Sequence, residues 1–505
     1  MKKHQLALSK SIPIVVLLML FGIPFAIAAA LNPHNVPPFE TLSGLQLPSV
    51  SLSGAITLTV NFNGADARVP VNWPAADPDI AVGPTKVIVI TNDIMAIRNK
   101  TGTLVASKDL REFFNSVVST NENGFDPGAE YDPLGNRFFL SATGFVDNPN
   151  CIPPGSCISH VFLAVSKTSN PTSLEASDWH FYALDSTLIG TTPAATASDF
   201  PHISVIGEFL VITWQRSGFS GTGGQGAQIR LVNKSTLMSG QPVTTWIDFT
   251  VPFRSVILPA ITFGDIEPIF LVHYFDPCTS GSTVVEIWAI SNLAVSPTLT
   301  SHSVDLGGTC GTPPDAPQQG GGTPLDVIEW NAQPVYRNGS LWVARAVVQN
   351  YGSGNVSAIR WAQINVTGWP DTLTVVHDGT FGLDGIWHFE PTVMVDASNN
   401  LAVLFARSST NEFASLYYTG RLAVDSPNTV RQSALLKAGV ANLQLFDNGG
   451  SVNRYGDYFG AAVDPVDGSI WMYGEYAKAS NQWGTWVGNI VFANYPRLYL
   501  PIMFK

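Results

Sequence analysis

One short stretch returns through the chain with variations and limits what it can fold into. Its clearest copy is Asp77-Pro-Asp-Ile-Ala-Val-Gly-Pro running into the apolar Val87-Ile-Val-Ile-Thr91. Further copies are Asp126-Pro-Gly-Ala-Glu-Tyr-Asp-Pro before Arg137-Phe-Phe-Leu-Ser, Phe200-Pro-His-Ile-Ser-Val before Phe209-Leu-Val-Ile-Thr-Trp, and Leu258-Pro-Ala-Ile-Thr-Phe before Ile269-Phe-Leu-Val-His-Tyr. The last three are Gln333-Pro-Val-Tyr-Arg before Leu341-Trp-Val-Ala, Glu390-Pro-Thr-Val-Met before Leu401-Ala-Val-Leu-Phe, and Tyr458-Phe-Gly-Ala-Ala-Val-Asp-Pro before Ile470-Trp-Met-Tyr. Each reads as a strand, a turn and a second strand, at a spacing of roughly 50 to 75 residues.

Every unit can be given four strands; in the first they are 80–82, 87–91, 95–98 and 104–107, with Gly- and Asn-containing turns between them. A four-stranded sheet with two apolar faces cannot bury both alone, so the units must stack, and radial closure leaves no long exposed edge. The expected fold is all-β, a seven-bladed β-propeller of four-stranded antiparallel blades, with six or eight blades as variants and a pair of β-sandwiches as the alternative. The last unit shows three strands, so its fourth comes from 55–62 or from 497–504. The N-terminal segment is favoured because it precedes the first unit and otherwise has no place. In each head the proline is expected to start the strand before ladder pairing begins, where its missing N–H costs nothing. The one helix-like stretch, 107–118, reads as a short turn of helix between repeats.

Composition agrees with many short strands: among 505 residues there are 44 Gly and 35 Pro, and only 13% are charged. The formal net charge is −12, with no Lys or Arg run beyond the start, so a nucleic-acid partner is not expected. Met1-Lys-Lys-His, an apolar run from Ile12 and Ala26-Ile-Ala-Ala-Ala read as a secretory signal peptide over 1–30, with an uncleaved anchor as the alternative. The division expected is that leader, an extended lead-in over 31–54, the propeller over 55–494 and a tail or closing strand over 495–505. The protein is then secreted or on the cell surface, with no membrane span after cleavage; its oligomeric state is not legible. In that setting Cys151 with Cys157, and Cys278 with Cys310, are expected as two disulfides.

Innermost strands of a propeller begin around one mouth of its channel, so residues equivalent by repeat become neighbours. That gathers Asp77, Asp126, Asp199, Glu390 and Asp457 as candidate acids, with His202, Asn331, His388, Arg454 and Tyr455 as ligand-binding candidates beside them. An Asp before Pro is also a common turn starter, and such a carboxylate often satisfies backbone amides. In Asn453-Arg-Tyr-Gly-Asp-Tyr458, Arg454 suits a carboxylate, Asp457 an acid or cation ligand and Tyr455 a sugar face, or else Arg454 and Asp457 lock the last blade to the first. His388 and Glu390 share one strand face by period two. No cofactor is expected, calcium being the cation that such a mouth would accept. Gly221-Thr-Gly-Gly-Gln-Gly226 matches a nucleotide-loop pattern but stands between strands with no helix after it.

Arg454-Tyr-Gly-Asp457, Val463-Asp-Pro-Val-Asp-Gly-Ser-Ile-Trp471 and Gly474-Glu-Tyr476 resemble the last blade of secreted bacterial propellers of the sialidase and BNR-repeat superfamily. Asp467-Gly-Ser-Ile-Trp471 departs from that superfamily's Asp-box by lacking the residue between Asp and Gly, and no arginine triad can be assigned. The expectation drawn from the residues is an extracellular binding module for a glycan or cell-surface protein at the channel mouth. What the resemblance implies instead is a sialidase-like glycoside hydrolase or lyase using paired carboxylates there. A structural envelope component is the third reading.

Overall fold

The computed structural model describes residues 56–493 apart from positions 70, 119–121, 149, 154–155, 220–223, 255, 275–282, 309–310, 330–331 and 448–449. The leader, lead-in and tail expected over 1–54 and 495–505, together with Asn331, Cys278 and Cys310, lie outside the described residues.

Seven antiparallel blades follow one another in chain order. Blade 1 comprises Asp79–Val82, Lys86–Ile90, Ile94–Asn99 and Leu104–Asp109, close to the strands read from its sequence. Blade 2 runs from Phe125–Asp132 to Trp179–Asp185, blade 3 from Thr196–Ile206 to Ile247–Val251, and blade 4 from Leu258–Pro259 to Thr298–Gly307. Blade 5 runs from Val335–Arg337 to Thr372–Phe381 and blade 6 from Trp387–Val395 to Ala434–Lys437. Consecutive innermost strands touch all the way round, and that of blade 7, Gly460–Val463, touches that of blade 1. The fold is a seven-bladed β-propeller.

Closure is made by the N-terminal strand. Ile56–Asn63 pairs antiparallel with Gln482–Phe492 as the outermost strand of blade 7, matching Ile56 to Phe492 and Phe62 to Val487. Its alternating half-buried and exposed residues fit an outer strand with one face on the neighbouring sheet. Middle strands such as Phe209–Gly218 and Leu401–Ser409 are covered on both faces, which is why they read as unbroken apolar runs. The cores therefore lie between blades. Ile88 and Ile90 of blade 1 pack with Phe138, Leu140 and Phe162 of blade 2, and the short helix Leu110–Phe114 adds Phe113, edge-on to Trp179 at 5.5 Å.

Two details of the heads differ from the sequence reading. In blades 2, 3 and 6 the ladder begins before the proline: pairing jumps from Phe125 to Gly128, from Asp199 to His202 and from Phe389 to Thr392. The proline sits inside a β-bulge, where an unpaired residue needs no N–H. The head of blade 4 is split between two sheets. Leu258–Pro259 pairs within its own blade, while Ile261–Thr262 pairs parallel with Val335 and Tyr336 of blade 5. Of the two disulfides expected, Cys151–Cys157 is present among the described residues. No described helix is long and apolar enough to cross a membrane.

Candidate functional site

The residues before the head prolines share one conformation, and it fixes where the acids point. Asp77, Asp126, Phe200 and Glu390 each stand immediately before a proline and each has a positive φ, between 48° and 53° apart from 47° at Asp77. A residue before proline ordinarily takes the extended region, and a non-glycine residue in the left-handed region costs about 1–3 kcal/mol. Four repeats of this conformation at equivalent positions aim three carboxylates and one phenyl ring inward at the strand heads.

The carboxylates are held by a network that crosses blade boundaries. Asp77 accepts from the Asp457 amide at 2.6 Å and from Asn92 Nδ2 at 2.6 Å, and Asn92 Oδ1 accepts from the Asp126 amide at 2.7 Å. Asp126 Oδ2 accepts from the Phe200 amide at 3.0 Å, and the Asp126 carboxyl is within hydrogen-bonding reach of both Asp77 and Asp199. Asp199 also accepts from Ser217 Oγ at 3.4 Å. Arg454 donates to Asp457 and stands 3.9 Å from Asp326. Glu390 accepts from the Ile328 amide at 3.2 Å, and Glu475 accepts from the Ala76 amide at 3.2 Å.

Burial dominates the electrostatics. It pushes the Asp77 and Asp199 carboxyls up, and raises Asp126 further because the charges of Asp77, Asp199 and Asp457 add to it. Asp457 is raised to about 8 by burial and by Asp77, with the neighbouring Arg454 working in the opposite direction. Burial works to lower Arg454, but Asp457, Asp77 and Asp326 outweigh it and hold the guanidinium above its ordinary value.

These groups open into a cavity of about 850 Å³. Seven aspartates and two arginines line it: Asp77, Asp93, Asp109, Asp126, Asp199, Asp447 and Asp457 against Arg111 and Arg454. Asn72, Asn92, Asn123 and Gln215 add amides, and Trp73 and Phe125, 5.4 Å apart, supply an aromatic wall that continues to Phe145 and Phe219. Among the described residues no group of three or more His, Cys, Asp or Glu is arranged to hold a metal ion.

Four of the five candidate acids, Asp77, Asp126, Asp199 and Asp457, line this cavity with Arg454. Glu390 is buried behind it, pushed well up by burial and by Asp457. The other candidates are taken up by packing. Tyr455 is buried against Phe389 and Phe459 and donates its hydroxyl to the Glu475 carbonyl at 2.7 Å, so it offers no face to a sugar. His388 stacks on Phe405 and faces the Ile386 carbonyl rather than Glu390. His202 lies between Phe200 and Tyr458, and burial lowers it to about 4.

Several residues at or beside the lining carried no repeat signal. Asn92 and Asp93 belong to a turn between the second and third strands of blade 1. Asp326, 3.9 Å from Arg454, and Ile328 come from the long connection between blades 4 and 5. It crosses to the approach of blade 7, where the Asp326 amide donates to Asn453 O at 2.9 Å and Asn453 Nδ2 to Thr323 O at 2.9 Å. Only the Trp73-Pro-Ala-Ala run ahead of Asp77, an aromatic leading straight into a head, could have been picked out beforehand.

Below the mouth the channel is filled. Tyr458 donates to the Pro127 carbonyl at 2.8 Å, its ring meets His202 at 5.1 Å and Phe200 at 5.6 Å, and the void left beside them is about 10 Å³.

No family model matches the sequence, and neither does any curated protein. Among solved structures the chain is similar to a Trypanosoma rangeli sialidase, at 7% identity and a TM-score of 0.35 over 81% of this chain and 57% of that one. It is also similar to an endo-arabinanase from Bacillus licheniformis, at 16% identity and 0.30 over 61% and 99% of the two chains. An exo-β-1,3-galactanase from Clostridium thermocellum gives 9% and 0.33 over 75% and 81%. Likenesses this distant carry no argument about chemistry; the blade count rests on strand order.

Proposed function

We propose that this mouth is the binding site of an exported propeller for a neutral or amino-bearing glycan. The observation that carries the reading is the lining itself. Carboxylates and amides from blades 1, 2, 3 and 7 converge on one open cavity with an indole and a phenyl ring on its wall. Hydroxyl-rich rings need that combination, polar groups for their edges and an aromatic surface for their C–H faces. Seven aspartates against two arginines, one of them already paired, disfavour anionic sugars such as sialic acids. Export is supported by the leader-like start of the sequence and by the Cys151–Cys157 bridge.

A second reading, glycoside hydrolysis, draws on one observation: Asp457 is a carboxyl raised to about 8 in an open cavity, the protonation a general acid needs. Against it, Asp77, Asp126 and Glu390 are committed to backbone amides. A glycan array followed by calorimetry on wild type and Trp73→Ala tests binding, with a loss of about tenfold expected on removing the indole. If no neutral or amino glycan binds, the reading fails. Turnover of aryl glycosides that Asp457→Asn abolishes would replace binding with catalysis.

A further inference from the structure

The channel has a second end, and the filling at its middle keeps it apart from the acidic mouth. The far ends of the innermost strands, Ile80 and Val82 from blade 1, Met394 from blade 6 and Val463 from blade 7, wall a cavity of about 310 Å³ with Ile261 and Phe263. Its volume is at the lower end of small-molecule sites. The acidic mouth is crowded with carboxylates, whereas this end is apolar and has Arg337 as its distinctive polar group.

Among the described residues Arg337 makes no ion pair. Its guanidinium carbon lies 3.9 Å from the centre of the Phe263 ring, and Nη1 is buried with no hydrogen-bond partner among the described residues. Burial lowers its pKa. The acid whose charge acts on it, Asp396, has its oxygens engaged by the Ser398 amide at 2.8 Å, the Asn400 amide at 2.9 Å and Asn400 Nδ2 at 2.8 Å. The two acids in the cavity wall are also accounted for. Glu130 accepts from the Val205 amide at 2.9 Å and is pushed well up by burial, which disfavours its charged form. Asp464 is ion-paired with Lys100 and accepts from Trp471 Nε1 at 3.1 Å. The uncompensated charge at this end therefore belongs to Arg337, stacked on a ring and facing hydrocarbon. A buried donor without an acceptor is unfavourable, and a charged one more so.

We propose that this end of the channel is a second binding site, one that takes a small amphiphilic anion: a short hydrocarbon chain lying among Ile80, Val82, Ile261, Met394 and Val463, with a single carboxylate meeting Arg337. One guanidinium matches one monovalent anion, which it binds bidentately through its fork of N–H groups. The site is independent of the glycan reading, because the Tyr458–His202 filling separates the two ends.

Calorimetry on the full chain with octanoate, and with 1-octanol as its uncharged counterpart, tests the proposal. Octanoate is expected to bind at least about tenfold more tightly than octanol, the difference one charge-assisted contact makes, and Arg337→Gln should bring octanoate down to the alcohol's level. Met394→Trp, which fills the cavity without touching the charge, should abolish binding of both, and it serves if Arg337→Gln does not fold. The proposal is overturned if octanoate does not bind at millimolar concentration, if octanol binds equally well, or if either folded variant binds octanoate with unchanged affinity.

Discussion

The Asp457 amide donates to the Asp77 carboxylate at 2.6 Å, joining the head of the last blade to the head of the first across 380 positions of sequence. The same carboxylate accepts from Asn92, whose other amide atom holds the Asp126 backbone of blade 2. Asp77 is thus an internal clasp at the ring's seam, complementing the outer clasp made by Ile56–Asn63.

Removing that inner clasp should be costly. Asp77→Ala leaves the Asp457 amide and Asn92 Nδ2 without an acceptor in a buried site and keeps the left-handed backbone. A loss of about 2–4 kcal/mol is expected in urea unfolding. Asp77→Asn should also destabilise, because its new amide cannot accept from both donors. An unfolding midpoint equal to wild type in both variants would show that the seam does not depend on this contact.

Breaking the Arg454–Asp457 pair should produce a pH-dependent defect. Arg454→Met leaves Asp457, Asp77 and Asp326 without their cation, and about 3 kcal/mol should be lost at pH 9, above the value of about 8 where Asp457 sheds its proton. At pH 5 the carboxyls are protonated more readily and the gap to wild type should narrow. A defect of the same size at both pH values would mean that the arginine acts through packing alone.

Stability should fall as pH rises from about 6.5 to about 8.5. Asp79, raised to about 7 chiefly by burial, and Asp457, raised to about 8, hold protons in the folded chain that the unfolded chain has already released. Where the folded state binds more protons, stability decreases with pH. His202 and His388, both lowered to about 4 by burial, act in the opposite sense, but only between about pH 4 and 6.5, where the unfolded imidazoles are charged. Thermal unfolding across pH 6.5–8.5 checks this, and Asp79→Asn should flatten the slope. A midpoint that rises over the interval contradicts it.

The outer clasp can be tested by truncation. A chain lacking residues 1–55 keeps the closing strand and should remain cooperative in unfolding and resistant to protease. A chain lacking 1–63 exposes the edge of Gln482–Phe492 and should aggregate or be cut within blade 7. Equal behaviour of the two in size-exclusion chromatography and limited proteolysis would assign closure to something other than this strand.

The sequence by itself determined the repeat, and with it the fold: seven strand-turn-strand units with doubly covered middle strands leave stacking about an axis as the economical solution, and a three-stranded last unit calls for a strand from one terminus, which the structure assigns to the N-terminal one. It also placed Asp77, Asp126, Asp199 and Asp457 at one mouth, since equivalent positions in a ring are neighbours. Only the tertiary structure decided what those positions do. A bulge of one residue turns a side chain to the other face, so strand period could not tell that His388 is buried in packing while Asp126 opens into the cavity, and Tyr455, ahead of its strand, has no period to read. Asn92, Asp326 and Ile328 reach the site from a turn and a long connection, which carry no periodicity, and Arg337 has no ion pair among the described residues at the far end because its surroundings are assembled from blades 1, 2, 4, 6 and 7. Periodicity is a property of the local chain, whereas burial, charge balance and the partner of a buried group are set by residues hundreds of positions away.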